Sequence, residues 1–164
     1  HPTYYSYNQK PQMDEFLKEV KSIHKSETSL HDFRASVKKI VSKVGCGHMN
    51  VWMPKNIVID SVMALPFDLN IIDQKLYIRK YLGKDSLLNI GDEIVSINSL
   101  QSDSLINVLS NIITSDGHNT THKTSLLEKA FFIYYYNILF VFLINYTLNS
   151  FLYLYTKNNV KILN

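Results

Sequence analysis

Two glycines bracket the chain's single cysteine in the run Val44-Gly45-Cys46-Gly47-His48. Histidine is the side chain best suited to moving a proton near neutral pH. His48 stands where a helical pattern should give way to a short strand-like run, His48 to Met53. With little side-chain bulk before it, an imidazole there can face a cleft and serve as general base to a hydroxyl nucleophile. The competing reading is a turn histidine bonded to backbone. Cys46 is a second candidate nucleophile, but no third orienting group is visible beside it, and a small buried apolar role suits it better. A metal centre built from Cys46, His48 and another of the six histidines has little support. His118 and His122 are four apart, but they share a polar stretch with Gly117 instead of a helix face. No metal and no cofactor are expected.

The elements that must position His48 follow from periodicity. Phe16, Leu17, Val20 and Ile23 recur at helical spacing between Gln12 and about Lys25. After a break at Ser26-Glu27-Thr28, Ser29 offers an N-cap with Asp32 three residues on. Leu30, Phe33, Val37, Ile40, Val41 and Val44 then form one stripe. Lys38, Lys39 and Lys43 lie toward the end where the helix dipole favours cations, with Lys38-Lys39 expected on a solvated face. Gly45 sits where a left-handed terminator belongs. Two helices with facing stripes make a small helical subdomain, and Tyr4, Tyr5 and Tyr7 can pin the N-terminal arm onto it.

Pro54 to Ala64 reads as a connection with a short strand at Ile57-Val58-Ile59. After Pro66 the period becomes strand-like. Phe67 to Ile71 alternates, Asp73-Gln74 turns, and Leu76 to Tyr81 alternates back as a hairpin. Gly83 to Asn89 is a loop. Ser102 or Asp103 can cap a helix carrying Leu105, Val108, Leu109 and Ile112, and Asp116-Gly117 marks a turn. Ala130 to Thr156 holds no charged residue, long enough to span a bilayer. Its asparagines and its spread of aromatic residues favour a helix, Ser125 to Asn137, and then two buried strands, Leu139 to Tyr146 and Phe151 to Tyr155. The aromatic run Phe131 to Tyr136 is read as core, and no membrane association is expected.

Composition narrows the function classes. Hydrophobic residues make up 46% and charged residues 19%, which excludes a disordered chain. The net charge of +3 is spread along helix faces without an aromatic-basic motif, so no nucleic-acid partner is expected. A single cysteine excludes an internal disulfide framework. The chain starts at His1 without a methionine, which a cleaved signal peptide would explain and a fragment of a longer chain would explain equally.

The run Leu88-Asn89-Ile90-Gly91-Asp92-Glu93-Ile94-Val95-Ser96-Ile97-Asn98-Ser99 resembles the core signature of PDZ domains. Gly91 permits the turn into the strand, Asp92 can bond nearby amides, and Ile94 and Ile97 point to the core. A wider resemblance takes in, in one order, His1-Pro2-Thr3-Tyr4-Tyr5-Ser6-Tyr7, the two helices, Gly45-Cys46-Gly47-His48, Leu65-Pro66-Phe67, the Gly91 to Asn98 run and Ser115-Asp116-Gly117. That order resembles the N-terminal part of secreted bacterial serine peptidases of the tricorn and C-terminal-processing-peptidase family. The resemblance implies a small helical domain, then a PDZ-like domain, then an α/β domain that bears the nucleophilic serine and begins near Asn164. It gives His48 the role of activating histidine, with Gly47 where some members carry a hydroxyl residue. It places the serine, its oxyanion donors and the acidic partner outside these residues. No Gly-x-Ser-x-Gly elbow occurs in the chain.

The expected architecture is α+β: a helical N-terminal subdomain over 1–54, a linker over 55–65, and a PDZ-like, partly open β-barrel with helices over 66–164. The expected function is the non-nucleophile portion of a secreted or periplasmic serine peptidase, inactive alone. Its partners are a peptide or protein substrate and the C-terminal catalytic domain. Tyr81, Leu82, Gly83 and Lys84 are the candidate peptide-binding loop, offering amides and a cation to a carboxylate. The alternative is a stand-alone PDZ-like module that binds peptides or proteins.

Overall fold

The structure is a computed structural model that describes residues 4–23, 30–51, 67–82, 88–130, 152–156 and 160–163. It is α+β, with four helices and an antiparallel sheet among these residues. The chain divides into two compact units: His1–Ile59 with Ser110–Lys123, and Asp60–Leu109 with Thr124–Asn164. Residues 110–123 thus belong with the N-terminal helices, not with the segment that starts at 66.

In the first unit, α1 spans Lys10–Ile23 and α2 spans Leu30–Val44. Pro11 lies in the first turn of α1, where a missing N–H costs no intrahelical bond. Met13 and Val20 are buried, with Phe16 and Leu17 half-buried between them, one stripe at helical spacing. Met13 was not part of the expected stripe. On α2 the buried face is rotated from the expected one. Phe33 is 54% exposed, whereas Arg34, Lys38 and Ser42, spaced four apart, are buried. Lys38 therefore lies in the packed face and not on a solvated one. Its burial, with Arg34 one turn away, pushes its ammonium pKa down to about 8. The return segment explains part of this rotation, since the Ser42 hydroxyl donates to the Ile113 carbonyl at 2.7 Å. Ile112, Ile113 and Ser115 on that segment are each 1% exposed.

In the second unit the strands are β1 Phe67–Ile72, β2 Lys75–Tyr81, β3 Glu93–Ile97, β4 Leu100–Gln101, β5 Leu152–Thr156 and β6 Val160–Leu163. All pairings are antiparallel, in the order β1-β2-β3-β5-β6 with β4 beside β3. Among the described residues β1 and β6 each have one neighbour, so the sheet is open rather than closed into a barrel. The β1–β2 hairpin turns through Asp73 and Gln74, both at positive φ, with Ile72 opposite Lys75. Phe67 and Leu69 on β1 and Leu76 and Ile78 on β2 are buried at alternate positions, and β3 buries Ile94, Ser96 and Ile97. Each full burial of such an apolar side chain contributes roughly 1.5–3 kcal/mol.

The Ile90 to Asn98 run folds as its residues require. The Gly91 amide donates to the Ile78 carbonyl and Ile78 donates back to Asp92. The Asp92 carboxylate accepts from the Asn89 amide at 3.0 Å, and Ile94 and Ile97 are fully buried. Helix α3, Ser102–Ser110, buries Leu105, Ile106 and Leu109. Val108, expected in its stripe, is 42% exposed. The Ser102 hydroxyl donates to the Ile94 carbonyl, so it ties α3 to β3. Helix α4, Thr120–Ala130, starts earlier than expected because the Asn119 side chain caps it, accepting from the His122 amide at 2.9 Å. On the same helix Glu128 accepts from the Ile71 amide. Of the two terminal strands expected, the second is β5, while Leu139 to Tyr146, the aromatic run Phe131 to Tyr136 and the Ile57-Val58-Ile59 strand lie outside the described residues. No helix among the described residues is long and apolar enough to cross a membrane.

Candidate functional site

Helix α2 stops at Gly45, which adopts φ +72° and donates its amide to the Ser42 carbonyl at 3.2 Å. This is the left-handed terminator that Gly45's position implied. The chain then turns at once: the Met49 amide donates to the Cys46 carbonyl at 3.1 Å. Cys46, Gly47, His48 and Met49 thus form a tight turn, and no strand follows through Val51, contrary to the expected run from His48. The turn puts Cys46 and His48 close together. Trp52 and Met53 lie outside the described residues.

A second turn meets the first. The Asn119 amide donates to the Asp116 carbonyl, closing Asp116-Gly117-His118-Asn119. Two hydrogen bonds join the turns: the Gly117 amide to the Gly45 carbonyl at 2.9 Å, and the Gly47 amide to Asp116 Oδ1 at 2.7 Å. A Cβ at position 47 would lie 3.2 Å from both carboxylate oxygens, so the absent side chain is what lets Asp116 seat there. The Tyr7 ring lies over both turns. Its atoms come within 2.9 Å of where a Cβ would stand on Gly45 and, on its other side, on Gly117. Asn8, next in sequence, donates from its side-chain amide to the Lys43 carbonyl near the end of α2. The N-terminal arm is pinned as its tyrosines suggested, but by Tyr7 on glycines more than by stacking on helix faces.

The outcome is a cluster. One donor atom each from Cys46, His48 and Asp116 lies within 4.8 Å of the other two. Cys46 is half-buried, and His48 and Asp116 are exposed. An imidazole brought near a carboxylate that a backbone amide holds is an arrangement that general-base chemistry can use. An imidazole, a thiol and a carboxylate converging from two turns also make a set of metal donors. A cationic pocket of about 450 Å³ lies in the same unit, lined by Tyr7, Lys39, Lys43, His118 and Lys123 among others. None of the three clustered residues lines it. Burial, with Lys43 nearby, lowers the Lys123 pKa, and its ammonium donates to the Ser110 carbonyl.

His48 is thus an exposed turn residue in company that its local sequence did not show. Asp116 was legible only as a turn signal, and its one further hint was its place in the Ser115-Asp116-Gly117 segment of the family-like order. In the other unit, Tyr81 is half-exposed at the end of β2 and Leu82 is 59% exposed. Gly83 and Lys84 lie outside the described residues. His118 stays in a turn, edge-on to Tyr7 at 6.4 Å between ring centroids, while His122 belongs to α4. Comparison of the chain with protein-family models, with curated proteins and with solved structures finds no match.

Proposed function

We propose that this chain is the histidine-bearing portion of a serine peptidase, with the nucleophilic serine supplied by a domain outside these residues. The observation that carries the proposal is the exposed His48 imidazole beside the Asp116 carboxylate on two cross-linked turns. His48 takes the serine proton as the oxygen attacks the scissile carbonyl and returns it to the leaving amine. Asp116, within reach in the same unit, orients the ring and stabilises the imidazolium. In this reading the acid lies in this chain, whereas the resemblance placed it outside together with the serine and its oxyanion donors. The second unit acts as a PDZ-like guide for substrate. The buried Ile94 and Ile97 after the Gly91-Asp92 turn, the exposed Leu82 and a β1 that has a single strand neighbour among the described residues support that role. A secreted or periplasmic setting goes with this reading.

The test is peptide hydrolysis by the full reading frame that encodes this chain. His48→Ala should lower kcat/KM by about 10²–10⁴, the contribution of a general base. Asp116→Asn should lower it less. An unchanged rate in His48→Ala, in an enzyme that a serine-directed phosphonate still labels, removes His48 from the reaction.

A further inference from the structure

We infer that Cys46, His48 and Asp116 form a binding site for a divalent cation of the zinc class. The inference stands on donor geometry and does not require the peptidase reading.

Three observations lead to it. First, the donors are of three kinds: a sulfur, an imidazole nitrogen and a carboxylate oxygen, all mutually within 4.8 Å. A tetrahedral zinc site with bonds of about 2.0–2.3 Å sets its donors roughly 3.3–3.6 Å apart. Side-chain torsions alone can close the remaining gap. Second, the backbone beneath is fixed. The Cys46 to Met49 turn, the Gly117 to Gly45 bond and the Gly47 to Asp116 bond hold the three residues on one frame. The last bond also supplies what a ligating carboxylate needs, a donor on one oxygen that orients the other. Third, His48 and Asp116 are exposed residues, which gives a hydrated ion a way in and leaves a fourth position for water.

The donor set selects the ion. Thiolate and imidazole disfavour calcium and magnesium, which take oxygen ligands. The mixed set suits zinc, and cobalt(II) as its spectroscopic substitute. On binding, the Cys46 thiol releases its proton to solvent and the sulfur donates a lone pair to the metal. No redox change is involved. A bound cation would occupy the His48 lone pair and so prevent that imidazole from accepting a proton.

The test uses the 164-residue chain with zinc chloride or cobalt(II) chloride alone as probes. Cobalt should bind one to one and give a near-ultraviolet thiolate charge-transfer band, absent in Cys46→Ser. Zinc should displace it. Zinc affinity, measured by calorimetry, should fall at least tenfold in each of Cys46→Ser, His48→Gln and Asp116→Asn, and should be unchanged in His122→Gln. Asp116→Asn keeps an acceptor for the Gly47 amide, so it separates lost ligation from lost folding. A zinc-dependent rise in Tm, present in the wild type and absent in the three variants, is the second readout. The inference is overturned if millimolar cobalt gives no charge-transfer band, or if the band persists with full affinity in both His48→Gln and Asp116→Asn. Because no peptide substrate is used, either result leaves the peptidase proposal to its own assay.

Discussion

Lys38 and His48 show how little a residue's type says about its surroundings. Lys38 is 6% exposed, and burial and its like-charged neighbour Arg34 hold its pKa near 8 against an ordinary 10.5. Because the folded value is depressed, the unfolded chain binds more protons between about pH 8 and 10.5. Stability must therefore rise with pH across that window. Below pH 8 the buried charge is a full penalty. Lys38→Met should raise unfolding free energy at pH 7 by on the order of 1–2 kcal/mol, discounted for solvent screening. It should also flatten the rise toward pH 10.5. Urea unfolding at pH 7, 8, 9 and 10 reads both effects, and an equal pH slope in variant and wild type would refute the linkage. His48 differs in being exposed, and what distinguishes it is its company: one carboxylate and one thiol, each on a short turn.

Among the elements, the end of α2 has the most structure per residue. Gly45 (φ +72°) and Gly117 (φ +56°) adopt the left-handed conformation, and each lies under the Tyr7 ring. Alanine at position 117 pays for both the backbone strain and the clash. Gly117→Ala should cost about 1–3 kcal/mol of stability. In a Tyr7→Ala background the clash part disappears and only the backbone part, about 1 kcal/mol, should remain. Chemical denaturation of the four-member cycle measures the coupling, and additivity of the two substitutions would show that the ring does not press on Gly117. The same contact fastens the arm: Tyr7 sits on Gly45 and Gly117 of the turns that carry His48 and Asp116, and Asn8 holds the Lys43 carbonyl.

At the scale of the whole molecule, the chain passes between its two units three times, after Ile59, Leu109 and Lys123. The first unit is thus discontinuous. Ile112, Ile113 and Ser115 complete its interior, and the Ser42 hydroxyl needs the Ile113 carbonyl. A fragment of residues 1–59 should therefore lack a cooperative thermal transition by circular dichroism, since it loses these buried side chains and is near the size where a core is marginal. Joining residues 110–123 to it through a short Gly/Ser linker should restore a sigmoidal melt. Cooperative melting of 1–59 alone would show that the return segment is dispensable.

Much of the fold was written locally. Helical spacing located α1 and α2, alternation located the β1–β2 hairpin, and Gly45 ended its helix as its position required. Asp92, Ile94 and Ile97 found the partners their short motif implied. These features depend on neighbours a few residues away, and period and turn chemistry encode them directly. Other features depend on segments far apart. Asp116 reaches the amide of Gly47 across 69 positions of sequence, and residues 110–123 join the first unit. Nothing in the pattern of Ser115-Asp116-Gly117 says which turn it will meet. The rotation of α2 that buries Lys38 and exposes Phe33 likewise follows from what packs on it, because the face that wins is the one that maximises burial over the whole unit. The sequence by itself determined α1, α2 and the β1–β2 hairpin, the glycine that ends α2 and a histidine just beyond it. Only the tertiary structure decided that this histidine and its neighbouring thiol meet the Asp116 carboxylate, because that is a matter of which distant segments pack together.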